Sequence, residues 1–248
     1  MDIIEHNRRV YNTIAKHFSA TRSWIWDDLV PLKQYVKDGD QVLDLACGNG
    51  RLCLLLKDLS ISYLGVDYSE ALLQQAKEKF PNLEFIPGEM TAIPAKDKQF
   101  DVVFCLASFH HLPDRKARLK TLHEIARVLK PGGRLIMTNW NLYSEWAREK
   151  LATPPMAGGP AQGGKNAKWK LGTNEKEYIV PWKSPEGEVI GDRYYYAYTP
   201  EELEKMLVEA GLAVEKQYYA AKRGAKDMSA GQNLVTIAKN VDNRGKKR

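Results

Sequence analysis

The sequence contains no apolar run near the ~20 residues that a membrane-spanning helix requires, and its opening stretch, MDIIEHNRRV, holds no apolar signal-peptide core. Neither membrane insertion nor export is expected of such a chain, and a soluble, cytoplasmic protein is the reading it supports. Cysteine is scarce as well. Cys47, Cys53 and Cys105 show no paired CxxC spacing, which argues against a disulfide framework and against a cysteine-held metal. Each lies in an apolar stretch, where a free cysteine behaves as a small buried hydrophobe. The dipeptide His110-His111 has no further ligand-type residues nearby, so no metal site is expected. No internal repeat is visible.

What is present is a chain of 248 residues, 44% hydrophobic and 27% charged, enough for one substantial core. The net charge of +6 is placed unevenly: from Lys216 to Arg248 nine Lys/Arg face two Asp, a local +7, which leaves the rest near −1. A basic end of this kind can meet phosphates or serve as a solvated tail.

Hydrophobic spacing organises the rest. In residues 1–36, Val10, Ile14 and Phe18 fall four apart, and Leu29, Leu32 and Val36 continue the pattern, which predicts two helices. After the break at Asp38-Gly39-Asp40, the runs QVLDLA, YLGVD, LEFIPGE, FDVVFCLAS and RLIMTNW read as strands. RLCLLLKDL, SEALLQQAKEKF with Ser69 as N-cap, and RKARLKTLHEIARVL read as helices, the last ended by Lys130-Pro131-Gly132-Gly133. This alternation predicts an α/β fold with a doubly wound, mostly parallel sheet. A helix opened by Thr199 and Pro200 and closed by Gly211 then precedes AVEKQYYA and NLVTIAK, expected as an antiparallel pair at the sheet edge and completing seven strands. The insertion at 141–198 is expected to hold a flexible Gly/Pro-rich loop, 152–175, and a β-hairpin turning at Ser184-Pro185-Glu186-Gly187. The expected organisation is one domain: a helical cap (1–36), a core (37–140), the insertion, a last helix and strand pair (199–240) and a basic tail (241–248).

In such a sheet the ligand crevice lies at the carboxyl ends of the strands, where strand order reverses. The first strand ends in VLDLACGNG, in which Gly48 and Gly50 let backbone approach a ligand closely. Twenty-three residues after Asp44 the second strand ends in Asp67, placed to accept hydrogen bonds from a ribose. A dinucleotide G-x-G-x-x-G fails at Cys53, and a P-loop fails because Gly50 is followed by Arg51 and Leu52. An acid with a short glycine turn remains, suited to a nucleoside ligand that carries an amino group.

Asp44-x-x-x-Gly48-x-Gly50, Asp67, Gly88-Glu89-Met90, FDVVFCLASFHHL and LKPGGRLIM together resemble the motif series of class I S-adenosylmethionine-dependent methyltransferases, over about residues 40–140. The resemblance implies S-adenosylmethionine as cofactor and a Rossmann-like fold. It also implies that Asp44 with the backbone of Ala46, Cys47 and Gly48 holds the methionine moiety, and that Asp67, with Tyr68 beside it, holds the ribose. Glu89 and Met90 would face the adenine, and Leu106 would close the pocket. The family usually has glycine at the position of Ala46, so a slightly altered turn is expected.

The acceptor is sought outside the shared core. YNTIAKHFSATRSWIW, YIVPWK, DRYYYAYTPEEL and NLVTIAKN resemble segments of the tRNA wobble-uridine methyltransferases that esterify 5-carboxymethyluridine. That resemblance implies the tRNA anticodon region as partner, a small zinc-containing activator subunit in some members, and no DNA or membrane partner. A carboxylate is ionised at neutral pH and needs alignment rather than a base. Arg22 and Arg193 are candidates to hold it, and Tyr11, Trp24, Trp182 and Tyr194 candidates to face the RNA, on whose unstacked bases aromatic rings stack. His110 is a candidate catalytic group and His111 a substrate-facing one, although one of the two imidazoles is expected to pack under the Pro113-Asp114 turn. Two alternatives stand beside this reading: a small-molecule O- or N-methyltransferase with His110 or His111 as base, and a noncatalytic RNA-binding protein that keeps the fold.

Overall fold

Asp2 starts the first element by accepting hydrogen bonds from the backbone N–H groups of Ile4 and Glu5, which caps α1 (Ile3–Ala20). The structure, a computed structural model, describes residues 2–150, 169–221 and 224–241. The second expected helix is a six-residue 3-10 turn, Val30–Tyr35, opened by Pro31. Leu29 and Leu32, three apart, suit its three-residue period and are buried, as is Val36 in the extended backbone that follows.

The core then alternates strand and helix: β1 (Gln41–Leu45), α2 (Leu52–Leu56), β2 (Ser62–Asp67), α3 (Glu70–Lys79), β3 (Glu84–Pro87), β4 (Phe100–Leu106), α4 (Arg115–Val128) and β5 (Leu129–Trp140). Side-chain oxygens start α3 and α4: Ser69 accepts from the Leu72 N–H and Asp114 from the Ala117 N–H. Strand β5 begins earlier than expected. Phe100 pairs with Leu129 but Val102 with Arg134, so residues 130–133 bulge from the ladder with Gly132 at φ +79°.

After α5 (Glu145–Lys150) come β6 (Lys170–Leu171), β7 (Glu177–Lys183) and β8 (Val189–Tyr196), then α6 (Pro200–Glu209), β9 (Leu212–Ala221), β10 (Gly224–Lys226) and β11 (Asn233–Asn240). The main sheet has the order β10-β9-β11-β5-β4-β1-β2-β3. Its five core strands run parallel, and β11 is antiparallel to both β5 and β9. The short β10 makes it eight strands, so the expected β9–β11 pair lies one strand inside the edge. Strand order reverses between β1 and β4, and the carboxyl ends there form the crevice.

The insertion forms its own sheet, β6-β7-β8, with the hairpin turned by Gly187 at φ +90°. Of the loop expected over 152–175, residues 152–168 lie outside the described residues, and the remainder is ordered. Trp169 is buried, its N–H donates to the Lys150 carbonyl, and its ring stacks on Trp140 at 5.9 Å between centroids. Burial of a large aromatic outweighs the loop-forming composition around it. Most of the basic tail, residues 242–248, lies outside the described residues too. Among the described residues no helix is long and apolar enough to cross a membrane, and no group of three or more His, Cys, Asp or Glu could hold a metal.

Strand β8 is an edge strand, and its free edge is covered rather than left open. The buried Asn7 of α1 accepts from the Tyr194 N–H at 3.0 Å and donates to the Tyr194 carbonyl at 3.2 Å, as a neighbouring strand would. His6 Nε2 meets the Asp192 carbonyl at 2.7 Å. The small sheet and α1 are thereby docked together over the carboxyl ends of the main sheet, and a cavity remains between.

Candidate active site

The cavity floor is the turn after β1 and the end of β2. Asp44 and Asp67 are both buried there, 3% and 4% exposed. Asp44 accepts from the Tyr63 hydroxyl at 2.8 Å, and Asp67 accepts from the Gly48 and Ser69 N–H groups, each at 2.8 Å. Burial pushes Asp44 up to about 7, against the opposing pull of Tyr63. It pushes Asp67 up to about 6, against the pull of its backbone donors. Cys47 lines the cavity with its thiol pushed far up by burial and by both carboxylates, so it is neutral.

Ala46 occupies the turn at φ +60°, a left-handed conformation that favours glycine, and Ala107 at the end of the adjacent β4 does the same at φ +52°. The alanine methyl group is therefore carried in the turn as strain. Gly48, at φ +54°, lines the cavity. Gly50 does not: a Cβ there would meet Phe80 and Phe85 at 3.1 Å, so this glycine serves the packing of the turn against α3 and β3 rather than ligand approach. Tyr68, Glu89, Met90 and Leu106 also line the cavity, with Glu89 at its exposed rim.

The opposite wall alternates cations with aromatic rings. The Arg51 guanidinium lies 3.8 Å from the Trp26 ring centroid, and Arg22 lies 6.0 Å from the same ring and 5.3 Å from Trp182. Arg193 lies 4.9 Å from the Trp182 ring and 5.3 Å from Tyr195. Among the described residues none of these three arginines makes an ion pair, and Arg51 Nη1 and Arg193 Nε are buried without hydrogen-bond partners. Burial lowers Arg22, and it brings Arg51 down to about 10 with the help of the Arg22 charge. A wall of unpaired, partly desolvated guanidiniums is a receptor for anions.

The histidines are accounted for differently. His111 Nδ1 donates to the Tyr194 carbonyl at 2.8 Å, and its Nε2 accepts from the Tyr11 hydroxyl at 2.9 Å. Both nitrogens are thus used, and burial together with the Arg193 charge brings its pKa down to about 3. His110 is fully buried behind the wall, stacked on Tyr195 at 4.8 Å, and its Nδ1 accepts from the Trp140 N–H at 3.2 Å. Burial and His111 hold it well below its usual range, and it does not line the cavity, which corrects the expectation of a catalytic His110.

Three more sequence-based expectations are corrected by geometry. Trp24 is 57% exposed and outside the cavity, and Trp26 lines it instead. Tyr194 faces the core, its hydroxyl donating to the Pro113 carbonyl, because strand alternation puts Arg193 and Tyr195 on the cavity face. Trp182 does not line the cavity but lies between Arg22 and Arg193, fixed by an Nε1–H hydrogen bond to His17 Nδ1 at 3.1 Å. Tyr11, Arg22 and Arg193 do line it. Trp26 and Tyr195 line it too, and so do Arg51, Asn49 and Trp140, which carry no signal of their own in the sequence.

A family model described as a methyltransferase domain matches residues 42–133. An Encephalitozoon cuniculi protein that bears the name putative methyltransferase is 30% identical over 207 residues, 83% of this chain and 86% of that one. The mouse tRNA (carboxymethyluridine(34)-5-O)-methyltransferase ALKBH8 is 30% identical over 183 residues, 74% of this chain. That match spans only 26% of the mouse protein, about a quarter of its length. The Pyrococcus horikoshii PH0226 structure superposes with a TM-score of 0.64 at 25% identity, covering 86% of this chain and 88% of that one. A Haloferax volcanii chain solved in complex with the Trm112 methyltransferase activator gives 0.64 at 19% identity, covering 94% and 97%.

Two outcomes follow. Ala46→Gly releases the left-handed alanine and should raise unfolding free energy by about 1 kcal/mol in urea melts, and an unchanged or lower value would contradict the strain. Asp44 has its folded pKa raised to about 7, so its contribution is intact below about pH 4 and is lost as pH rises through 7. Asp44→Asn should therefore gain on the cofactor-free wild type between pH 4.5 and 8, by about 4 kcal/mol at most. Parallel pH profiles for the two proteins would contradict this.

Proposed function

The chain belongs to the class I S-adenosylmethionine-dependent methyltransferases, and from that premise we propose that it esterifies a carboxylate, that of 5-carboxymethyluridine at the wobble position of tRNA. The observation that carries the proposal is the wall of Arg22, Arg51 and Arg193: three guanidiniums without ion-pair partners among the described residues, in a cavity whose lining histidine, His111, has both ring nitrogens engaged in hydrogen bonds.

The residues present fit the cofactor. Two buried carboxylates end adjacent strands, the Gly48 backbone opens onto the cavity, and an orphaned guanidinium nitrogen of Arg51 waits for an acceptor. When bound, S-adenosylmethionine supplies an electrophilic methyl group on a sulfonium. In this reading Asp44 takes the ammonium of its amino-acid end, Asp67 the ribose hydroxyls, and Glu89 with the Met90 backbone the adenine. Ionised Asp44 beside a bound ammonium repairs the desolvation that raises its pKa.

For the acceptor, Arg193 supplies charge from a buried position, 4% exposed, and Arg22 supplies it from the end of α1. Both hold an anionic oxygen and exclude the water that would otherwise solvate it, so the barrier falls by alignment and desolvation rather than by proton transfer. Tyr11 is oriented by His111 and approached by Arg193 Nη1 at 3.5 Å, which makes its hydroxyl a second contact for the acceptor. A histidine base for hydroxyl or amine acceptors has less support, because His110 is behind the wall and the His111 lone pair is taken by Tyr11.

The tRNA acceptor rests on likeness to the mouse enzyme and on the basic residues after Lys216, which would follow the anticodon stem. A small zinc-containing activator subunit enters the proposal through the family resemblance and the Haloferax volcanii likeness.

The test is transfer from labelled S-adenosylmethionine to bulk tRNA, followed by nucleoside digestion and mass spectrometry, with and without a candidate activator. The expected product is a base-labile methyl ester on a wobble uridine. Arg193→Ala should lower kcat/KM tenfold to about a hundredfold while cofactor affinity holds. A base-stable methyl product, or full activity in Arg193→Ala, would count against the proposal.

A further inference from the structure

The three arginines of the cavity wall are not equivalent, and their order along the wall distinguishes them. Arg51 and Arg22 share the ring of Trp26, Arg22 and Arg193 share the ring of Trp182, and Arg193 continues to Tyr195 and Tyr11. Arg51 is thus at one end of the series and Arg193 at the other, beside the Tyr11–His111 pair.

Arg51 sits directly after the glycine turn that ends β1. The turn is tied to the end of α1 by Asn49, whose side chain donates to Ser19 Oγ and to the Arg22 carbonyl, both at 3.2 Å. The guanidinium is pressed onto Trp26 at 3.8 Å, a contact that fixes its plane while leaving its edge nitrogens free. Nη1 is one of those nitrogens, buried and without a partner. The nearest explanation internal to the fold would be an ion pair with the buried Asp28, but Asp28 accepts from Asn233 Nδ2 at 2.6 Å and makes no ion pair with Arg51. A buried charged donor left unpaired is costly, and folds keep one where a ligand completes it.

The charge next to it identifies the ligand group. Arg51 and Asp44 line the same cavity from the end of β1 and the turn that follows it, and each charge favours the other. An α-amino acid carries its ammonium and carboxylate on one carbon. Whatever side chain binds the carboxylate therefore has to stand beside the acid that takes the ammonium.

We propose that Arg51, held on the face of Trp26, binds the α-carboxylate of the cofactor's amino-acid end, which leaves Arg22 and Arg193 to the methyl acceptor. The assignment rests on the reading of Asp44 as the ammonium partner. It makes the amino-acid end of the cofactor a zwitterion clamped between Asp44 and Arg51, and it separates a cofactor anion site from an acceptor anion site along a single wall.

The test is calorimetric binding of three ligands to the full chain: S-adenosylhomocysteine, its decarboxylated analogue, and 5′-methylthioadenosine, which lacks the whole amino-acid group. Arg51→Gln should weaken S-adenosylhomocysteine tenfold to about a hundredfold and leave the other two within about twofold. Asp44→Asn should weaken S-adenosylhomocysteine and the decarboxylated analogue but not 5′-methylthioadenosine. Equal weakening of all three ligands by Arg51→Gln would mean that Arg51 only shapes the turn, and unchanged affinity for all three would mean that it binds no carboxylate. Either result overturns the assignment while the Asp44 arm stands by itself. If Asp44→Asn changes nothing while Arg51→Gln acts selectively, the Asp44 reading fails and the carboxylate site survives. No binding of any ligand to the wild type overturns both.

Discussion

The backbone of Tyr194 is gripped from two sides, and the site depends on that grip. Its N–H and carbonyl are met by the side chain of Asn7 from α1, and the carbonyl also accepts from His111 Nδ1 at the end of the β4 loop. One residue of β8 thus joins the N-terminal helix, the inserted sheet and the core. Because side chains alternate along a strand, fixing Tyr194 inward fixes Arg193 and Tyr195 on the cavity side. The same node commits His111: one nitrogen serves the strand, the other orients Tyr11, and the imidazole that sequence position would offer as a base is used as a strut.

Charge is distributed with the same economy. Two carboxylates at the strand ends and Arg193 are buried, Arg22 and Arg51 are partly buried, and the guanidiniums are kept apart by aromatic faces rather than neutralised by acids. In the absence of ligand this is an unfavourable arrangement, visible in Asp44 near 7 and Arg51 near 10. A ligand carrying an ammonium and carboxylates relieves it at each point. Binding and site electrostatics are then one phenomenon, and little of the chemistry has to be done by proton transfer.

The core was legible in the sequence because its signals are local. Ser69 and Thr199 cap their helices as their positions relative to the apolar pattern imply, and the strand ends at Asp44 and Asp67 follow from alternation of strand and helix. What could not be read was direction in space. Gly48 and Gly50 look alike in a line of text, yet one opens onto the cavity and the other accommodates Phe80 and Phe85. Trp24 and Trp26 lie in an irregular stretch with no period to say which turns inward. Arg193 and Tyr194 are adjacent on a strand and so face opposite ways, one to the cavity and one to the core. Arg51 carries no signal in the sequence, because a basic residue after a glycine turn is ordinary and its contact with the ring of Trp26 exists only in the fold.

The central claim is that this site transfers a methyl group to an anion by charge and alignment, without a titrating base. Its most direct test is the single-turnover rate on tRNA at saturating S-adenosylmethionine from pH 6.5 to 9. The expected result is a rate that stays flat, because the acceptor carboxylate is already ionised, His111 titrates near 3 and the arginines remain charged. A rate that climbs tenfold per pH unit to a plateau within that range would show that a proton must be removed first, and the account would fail.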